Sequence, residues 1–245
     1  MTMNDDLDQL TQALHLKRIR EILDRELERA TQAQSSYSEL LARLFREEYL
    51  YRRTRSIEYR IGQAKLPERW SLDTFPFDRQ PGVRRAHLRQ LAELDFVPRA
   101  ENIIFIGDTG VGKTGLASGL LLKALQNGYR GLFCKAQDLF DELYMNLADR
   151  HTRKLLNQLA RVDVLLIDEL GYLNLQPEQT NSFFKLMDER YAKKPTIITT
   201  NLRYDDWYGF LGHKALVQAL LDRMRHRCHT IEIEGPSLRD PDPGA

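Results

Sequence analysis

The chain has 245 residues, of which 42% are hydrophobic and 29% charged, and its formal net charge is only +1. This length suits one main domain with a smaller appendage, and the balanced charge indicates no particular partner, so any nucleic-acid signal must be local. Two cysteines are too few for a disulfide framework, the amino terminus is unlike a secretory signal, and no apolar run approaches the roughly 20 residues of a membrane span. We therefore expect a soluble, cytoplasmic protein without membrane contact.

The first 66 residues predict a small all-helical domain. Apolar residues recur at spacings of three and four over residues 7–30, which is the period of one helix face, and a second helical pattern covers residues 37–45. Residues 67–82 contain prolines and a glycine that break helices, so we place a linker there. Residues 83–245 then form the second domain.

From residue 83 onward the pattern alternates between helices and strands. The predicted strands are 102–106, 130–136, 162–168, 196–200 and 230–234, and the predicted helices are 83–94, 115–127, 136–148, 152–160, 177–191 and 214–225. This alternation predicts an α/β fold class, a doubly wound parallel sheet with helices on both faces. Ligands of such sheets bind at the carboxyl ends of the strands.

Residues 107–114 read GDTGVGKT and directly follow the first predicted strand. Three glycines allow a tight loop whose N–H groups converge on phosphate oxygens, Lys113 adds charge for the β- and γ-phosphates, and the Thr114 hydroxyl can bind Mg²⁺. The amino end of the next helix also points at the anion. A glycine-rich turn that binds nothing is the alternative. The predicted nucleotide-binding positions are Gly107, Asp108, Thr109, Gly110, Val111, Gly112, Lys113, Thr114 and Gly115.

A pair of carboxylates ends the buried strand over residues 162–168. Asp168 can hold Mg²⁺, usually through water, opposite Thr114. Glu169 is then placed to orient or deprotonate a water that attacks the γ-phosphate. A surface Asp-Glu pair that caps a loop and has no catalytic role is the alternative. Because a small-molecule kinase needs no water-activating carboxylate at this position, Glu169 favours hydrolysis.

Two further polar residues are candidates for the same chemistry. Asn201 closes the predicted strand 196–200 and can hydrogen-bond the γ-phosphate or the attacking water, although an asparagine there is also a common turn former. Arg223 lies on the last predicted helix. Hydrolysis needs a cation that stabilises charge on the transferring phosphoryl group, and Arg223 can supply it to a neighbouring subunit's nucleotide. A merely solvated arginine is the alternative.

Arginines interleaved with aromatic residues mark the stretch 43–69. A basic helix of this kind can follow a phosphate backbone with little sequence preference. An ordinary solvated helix that packs on a partner is equally compatible with the composition. The candidate DNA-binding residues are Arg52, Arg53, Arg55 and Arg60.

With these residues assembled, the chain resembles the IstB family of AAA+ ATPases, helper proteins of IstA-type transposases and relatives of DnaC-like helicase loaders. The resemblance spans nearly the whole chain. Its most specific pieces are Asp168-Glu-Leu-Gly-Tyr172, Trp207 and Asp222-Arg-Met-Arg-His226. The closing residues 235–239 read GPSLR and resemble the family's G-x-S-Y-R ending, with Leu238 in place of the tyrosine.

The resemblance implies a P-loop NTPase of AAA+ type with ATP and Mg²⁺ as cofactors. It implies a homo-oligomer with shared ATP sites that assembles on double-stranded DNA, mostly independently of sequence, selects or remodels the target and stimulates an IstA-type transposase. The roles it implies are phosphate and Mg²⁺ binding by Lys113 and Thr114, the second acidic motif at Asp168 and Glu169, a sensor at Asn201, and a trans-acting finger at Arg223.

Only residues 235–245 follow the last predicted strand, so we expect no C-terminal helical lid domain. Nucleotide would then be enclosed partly by another subunit or by the N-terminal helices, and a second sensor stays unassigned. A DnaC-like replicative helicase loader is the main functional alternative. A small-metabolite kinase and an adaptor that binds ATP without hydrolysing it are the others.

Overall fold

The computed structural model describes residues 3–145, 150–172, 175–212 and 214–239. The chain divides into two compact units, residues 1–59 and 60–245. The helices are α1 Met3–Ala13, α2 Lys17–Gln32, α3 Tyr37–Gln63, α4 Arg85–Ala92, α5 Lys113–Gln126, α6 Ala136–Met145, α7 Arg150–Arg161, α8 Pro177–Arg190, α9 Trp207–Leu211 and α10 Lys214–His226. The strands are β1 Asn102–Gly107, β2 Gly131–Lys135, β3 Val164–Leu170, β4 Thr196–Thr200 and β5 Cys228–Ile233. None of the helices described is long and apolar enough to cross a bilayer.

The first unit is helical, but the single helix expected over residues 7–30 is wrong. The helix is interrupted between α1 and α2, where His15 takes a left-handed conformation with φ of 56°. The N–H of Leu16 closes this break by donating to the carbonyl of Thr11 over 2.8 Å. Apolar spacing continues across the break, which is why periodicity alone did not reveal it.

Glu48 on α3 caps the start of α2. Its Oε2 accepts the backbone N–H groups of Arg18 and Ile19 at 2.8 and 3.1 Å, which α2 itself leaves without a side-chain cap. Burial opposes ionisation of this carboxyl, but Arg52 and the two N–H groups outweigh it and lower the pKa of Glu48. Next to this cap, Ile22 and Leu44 belong to a small apolar core.

The second unit is built on a five-stranded sheet in the order β2-β3-β4-β1-β5. All pairings are parallel, with Ile103 opposite Ile197 and Phe105 opposite Ile231. Successive residues of β1, β3 and β4 are almost all buried, and because neighbours along a strand point to opposite faces, both faces of the sheet are covered. The predicted doubly wound α/β fold is therefore confirmed.

Element bounds differ from expectation mainly at the ends of strands and helices. β3 runs two residues beyond Asp168, β5 begins at Cys228 rather than 230, and α9 was not predicted. The end of the helix predicted over 136–148 lies partly outside the described residues. The segment predicted as a linker contains two 3-10 turns, Leu72–Thr74 and Phe77–Arg79.

Candidate active site

The glycine-rich loop connects the carboxyl end of β1 to the first residue of α5. Gly110 and Gly112 have φ of 88° and 97°, a left-handed conformation that L side chains rarely adopt. A Cβ on Gly112 would also lie 2.6 Å from a ring carbon of Phe75. The loop backbone therefore needs glycine at these positions, as a cradle for phosphate does.

Lys113 begins α5 and is largely buried, with 8% of its surface exposed. Its Nζ donates to the carbonyls of Gly107 and Asp108, each over 2.7 Å, so the ammonium group lies inside the loop. Burial lowers the pKa of Lys113; the nearby carboxylates, led by Asp168, oppose this shift, and Arg239 adds to it. The lysine charge is thus held beneath the loop's N–H groups, where phosphates of a nucleotide would lie.

Asp168 is the buried carboxylate of the site, with 2% of its surface exposed. Its Oδ1 accepts hydrogen bonds from Thr114 Oγ1 at 2.9 Å and Thr199 Oγ1 at 2.5 Å. Burial raises the pKa of Asp168, although both hydroxyls act to lower it. The contact joins the two oxygen donors predicted to hold Mg²⁺, and a hydroxyl beside a carboxylate is a donor set that suits this hard cation. These residues therefore fit the implied metal.

The backbone is irregular at Glu169, the residue after Asp168. The pairing of β3 with β4 shifts between Ile167 and Leu170, and Glu169 has a φ of 61°. Its N–H donates to Thr199 Oγ1 at 2.9 Å, while its carboxylate stays half-exposed, 3.7 Å from Lys135 Nζ. A non-glycine residue in this conformation stores local strain, which is common at functional sites. The irregularity leaves Asp168 buried and presents Glu169 to solvent.

A cavity of about 780 Å³ connects these groups. It is large enough for a nucleotide, since ligand pockets commonly measure about 300–1,000 Å³. Tyr172 borders it, and its hydroxyl lies 2.9 Å from Thr109 Oγ1. The predicted site residues that line the cavity are Thr109, Gly110, Gly112, Lys113, Thr114, Gly115 and Glu169.

The cavity also has walls that the sequence analysis did not assign to the site. They come from the segment predicted as a linker, through Trp70 and Phe75, and from the closing residues Leu238 and Arg239. Part of the enclosure expected from another subunit or the N-terminal helices is therefore supplied by these two segments. The available signals were two aromatic residues in a proline-rich stretch and the GPSLR ending, but neither pattern indicates where its residues pack.

Asn201 follows β4 and lies beside Gly171, where an added Cβ would come within 2.8 Å of Asn201 Oδ1. This oxygen is buried and has no hydrogen-bond partner among the described residues. Buried amide oxygens are normally satisfied, so an unpaired one at this end of the sheet is consistent with a role in binding. The sensor role of Asn201 stays a prediction.

Arg223 lies far from the cavity. On α10 it forms an ion pair with Asp188, packs 5.9 Å from the ring centre of Tyr191 and borders a groove of about 300 Å³. Asn102 also borders this groove, and it stands at the amino end of β1, about 17 Å of strand away from the phosphate loop. Within one chain, Arg223 therefore faces away from the nucleotide cavity.

Of the four arginines predicted to contact DNA, three already have partners. Arg52 donates to Glu48 at 2.7 Å and to the carbonyl of His15 at 2.9 Å. Arg55 donates to the hydroxyl of Tyr51 at 3.0 Å, and Arg60 donates to the carbonyl of Leu125 at 3.0 Å. Arg53 is exposed. Their role in DNA binding stays a prediction.

The strand order, the glycine-rich loop after β1 and the Asp-Glu pair at the end of β3 define a P-loop NTPase of AAA+ type. Over residues 9–242 the chain matches the model of the IstB-like ATP binding protein family, and it belongs to that family.

Two relatives illustrate the match. The chain is 37% identical over 234 residues to the ATP-binding protein of insertion sequence IS21 from Pseudomonas aeruginosa, a match that covers 96% of this chain and 88% of that protein. It is 35% identical over 237 residues to the ATP-binding protein of insertion sequence IS5376 from Geobacillus stearothermophilus, with 97% and 94% covered.

Solved structures share the fold at lower identity. The crystal structure of DnaI aligns with a TM-score of 0.60 and 24% identity, covering 68% of this chain and 92% of that chain. The replication initiator DnaA, bound to AMPPCP and single-stranded DNA, aligns with a TM-score of 0.59 and 21% identity, covering 70% and 52%. At these identities the likeness concerns the fold alone.

Proposed function

We propose that this protein hydrolyses ATP while it assembles on double-stranded DNA, selects or remodels the target and stimulates an IstA-type transposase. The observation that supports hydrolysis most directly is the arrangement around Asp168. The buried carboxylate contacts Thr114 over 2.9 Å, and the next residue, Glu169, presents its carboxylate to the cavity. A metal-binding carboxylate beside an exposed one is what attack by water requires.

Each residue of the cavity has a distinct task in this proposal. Lys113 leaves its two carbonyl partners to bind the β- and γ-phosphates, and the loop N–H groups hold their other oxygens. Thr114 and Asp168 hold Mg²⁺, which neutralises phosphate charge when bound. Glu169 orients the attacking water and accepts its proton, for which it must leave Lys135, 3.7 Å away. Trp70 and Phe75 offer apolar walls to the base.

The position of Arg223 supports a shared site. The transferring phosphoryl group needs a cation that stabilises its developing charge. Arg223 is half-exposed at the opposite end of the sheet from its own cavity, so it serves the nucleotide of a neighbouring subunit. ATP turnover then depends on assembly, and this is how nucleotide and oligomer are coupled in our proposal.

Duplex DNA and a transposase are proposed as partners on the basis of the relatives. The two relatives described above are both named as ATP-binding proteins of insertion sequences. The arginines of α3 are the proposed DNA contacts, and Arg52 is already engaged with Glu48 and with the carbonyl of His15. Contacts to phosphates make binding salt-dependent and tolerant of sequence.

The test is a comparison of the wild-type protein with Glu169→Gln. We expect the substitution to lower ATP turnover by about 100-fold or more, because the water loses its base, while ATP affinity stays within about threefold. Assemblies on duplex DNA should persist longer in the variant, as measured by sedimentation and electron microscopy with ATP and Mg²⁺. Glu93→Gln, at an exposed carboxylate after α4, is the matched control.

Three outcomes would contradict the proposal. Unchanged turnover in Glu169→Gln would remove hydrolysis at this site, and a wild-type protein that stays monomeric with ATP and ignores duplex DNA would remove the assembly. Capture of a replicative helicase instead of a transposase in a pull-down would favour the helicase-loader alternative.

A further inference from the structure

Residues 169–172, at the end of β3, form an irregular segment that carries Glu169. Glu169 and Gly171 have φ of 61° and 123°, and the pairing of β3 with β4 shifts between Ile167 and Leu170. Strain at a non-glycine residue in this conformation persists only where the surrounding contacts hold it. The conformation of the segment, and with it the position of the Glu169 carboxylate, therefore depends on the contacts that its residues make.

Two of these contacts join the segment to β4 and the residues that follow β4. The N–H of Glu169 donates to Thr199 Oγ1 over 2.9 Å. Gly171 packs closely against Leu202, since an added Cβ would lie 2.6 Å from Leu202 Cγ. Both contacts hold the first part of the segment, before Tyr172, on the side of the sheet where β4 ends.

Tyr172 joins the segment to the phosphate loop. Its hydroxyl shares a hydrogen bond of 2.9 Å with Thr109 Oγ1, and both residues line the nucleotide cavity. Tyr172 is 54% exposed and Thr109 is exposed as well, so the bond adds little to the stability of the fold, because water competes for both hydroxyls. The bond acts on position instead, since it ties the segment that carries Glu169 to the loop that would bind phosphate.

We propose that Tyr172 is a positioning residue, which uses its hydrogen bond with Thr109 to hold Glu169 where it acts on the attacking water. The inference rests on the proposed hydrolysis of ATP and adds to it a link between the phosphate loop and Glu169. Thr109 directly precedes Gly110, so phosphates that bind the loop N–H groups also fix the hydroxyl with which Tyr172 pairs. Because misplacement of a reacting group by about 1 Å can cost about 100-fold in rate, such a link raises turnover without adding to ATP affinity.

The experiment measures kcat and the dissociation constant for ATP, with Mg²⁺ and duplex DNA present, in the wild-type protein, Tyr172→Phe and Thr109→Val. Each substitution removes a hydroxyl and nearly preserves the size of an exposed side chain. We expect each to lower kcat by about 5- to 20-fold, because Glu169 is held less well, and to leave ATP affinity within about threefold. The double variant should be no slower than the slower single variant, because both substitutions remove the same hydrogen bond.

Two further variants serve as comparisons. Thr109→Ser keeps a hydroxyl and should restore most of the turnover that Thr109→Val loses. Tyr144→Phe is the matched control, because it removes the hydroxyl of an equally exposed tyrosine on α6 that does not line the cavity.

A second comparison tests whether Tyr172 acts through Glu169. In the Glu169→Gln protein, Tyr172→Phe should change the residual turnover by less than about twofold, because the carboxylate that it positions is already absent. A merely structural role of Tyr172 would lower turnover by the same factor in both backgrounds.

Unchanged kcat in Tyr172→Phe would overturn the inference, and so would single effects that multiply in the double variant. A loss of ATP affinity as large as the loss of turnover would assign Tyr172 to nucleotide binding and overturn it too. These results are distinct from a failure of the proposed function, in which the wild-type protein does not hydrolyse ATP or Glu169→Gln keeps full turnover.

Discussion

The two ends of the sheet each carry a buried charge, and they treat it in opposite ways. At the amino end, Arg190 is 1% exposed and donates to the carbonyls of Leu159 and Val162, at 2.7 and 3.0 Å, to that of Pro195 and to the hydroxyl of Thr196 at 3.0 Å. At the carboxyl end, Asp168 is 2% exposed and, among the described residues, accepts hydrogen bonds from the hydroxyls of Thr114 and Thr199.

This difference suits a structural role for Arg190 and a metal-binding role for Asp168. Burial lowers the pKa of Arg190 to about 10, yet four acceptors hold its charge in place. Asp168 keeps acceptor capacity that no described residue uses, which is what a metal ligand must do. The amino end also carries Arg223, whose proposed target is a neighbouring nucleotide. In our proposal, one end of the sheet binds the nucleotide, and the other end holds the fold together and supplies a cation to the nucleotide of a neighbouring subunit.

The largest effect is expected from Lys113→Ala, which removes the charge at the binding end. ATP affinity should fall by about 100-fold or more, and ATP-dependent assembly should disappear with it. Titration calorimetry and sedimentation with ATP check both results. Lys123→Ala is the matched control, since this exposed lysine lies on the same helix α5. ATP-dependent assembly that persists in Lys113→Ala would contradict the proposed coupling between nucleotide binding and assembly.

At the opposite end, Arg223→Ala should leave ATP affinity within about threefold and lower turnover by about 10³-fold, because the missing cation belongs to the neighbour's site. The substitution also breaks the pair with Asp188, an exposed contact of little value for stability. Steady-state turnover and equilibrium binding separate the two effects. Arg225→Ala, two residues further along α10, serves as the comparison.

Mixing two inactive variants also tests whether Arg223 acts on a neighbouring subunit, and it does not depend on the size of either variant's defect. Arg223→Ala subunits retain Glu169, and Glu169→Gln subunits retain Arg223, so interfaces of the right orientation regain a complete site. Turnover should therefore rise when the two inactive proteins are combined. Turnover that stays at the sum of the separate proteins, or an Arg223→Ala protein that is fully active, would place catalysis within one chain.

The residues of the candidate nucleotide site were easiest to predict from the sequence where they lie next to one another in a single motif. Lys113 and Thr114 follow a buried strand in one unbroken motif, and Asp168-Glu169 ends another, so strand topology alone brings them together. Trp70 and Arg239 could not be found this way. They reach the cavity through packing between segments distant in the sequence, and neither the proline-rich stretch nor the GPSLR ending carries a periodicity that specifies its contacts.

Local backbone conformation was the second feature that could not be predicted from the sequence. The apolar spacing across His15 is compatible with one continuous helix, and only the left-handed residue itself breaks it. Glu169 is the parallel case at the site, because its φ of 61° accompanies a shift in the pairing of β3 with β4. Both are non-glycine residues, so no composition signal marks the positions where the chain departs from regular structure.

The smallest effect concerns stability and sharpens the contrast between the two buried charges. Because burial raises the pKa of Asp168, the folded protein holds this proton more tightly than the unfolded chain does. That group therefore costs stability as pH rises from its ordinary value of 3.8 through the raised one. Asp168→Asn should abolish Mg²⁺-dependent turnover yet increase the free energy of unfolding at pH 7 by roughly 0.5–2 kcal/mol.

The comparison is Arg190→Met, which leaves several buried acceptors without a donor and should cost about 3 kcal/mol or more. Denaturant melts at pH 7 and pH 4 measure both variants. The gain from Asp168→Asn should be smaller at pH 4 than at pH 7, because a raised pKa leaves less of the wild-type carboxyl ionised in the folded state at the lower pH. The loss from Arg190→Met should persist because arginine stays charged across this range. A stabilising Arg190→Met or a destabilising Asp168→Asn would show that the two ends do not divide structure and function as argued.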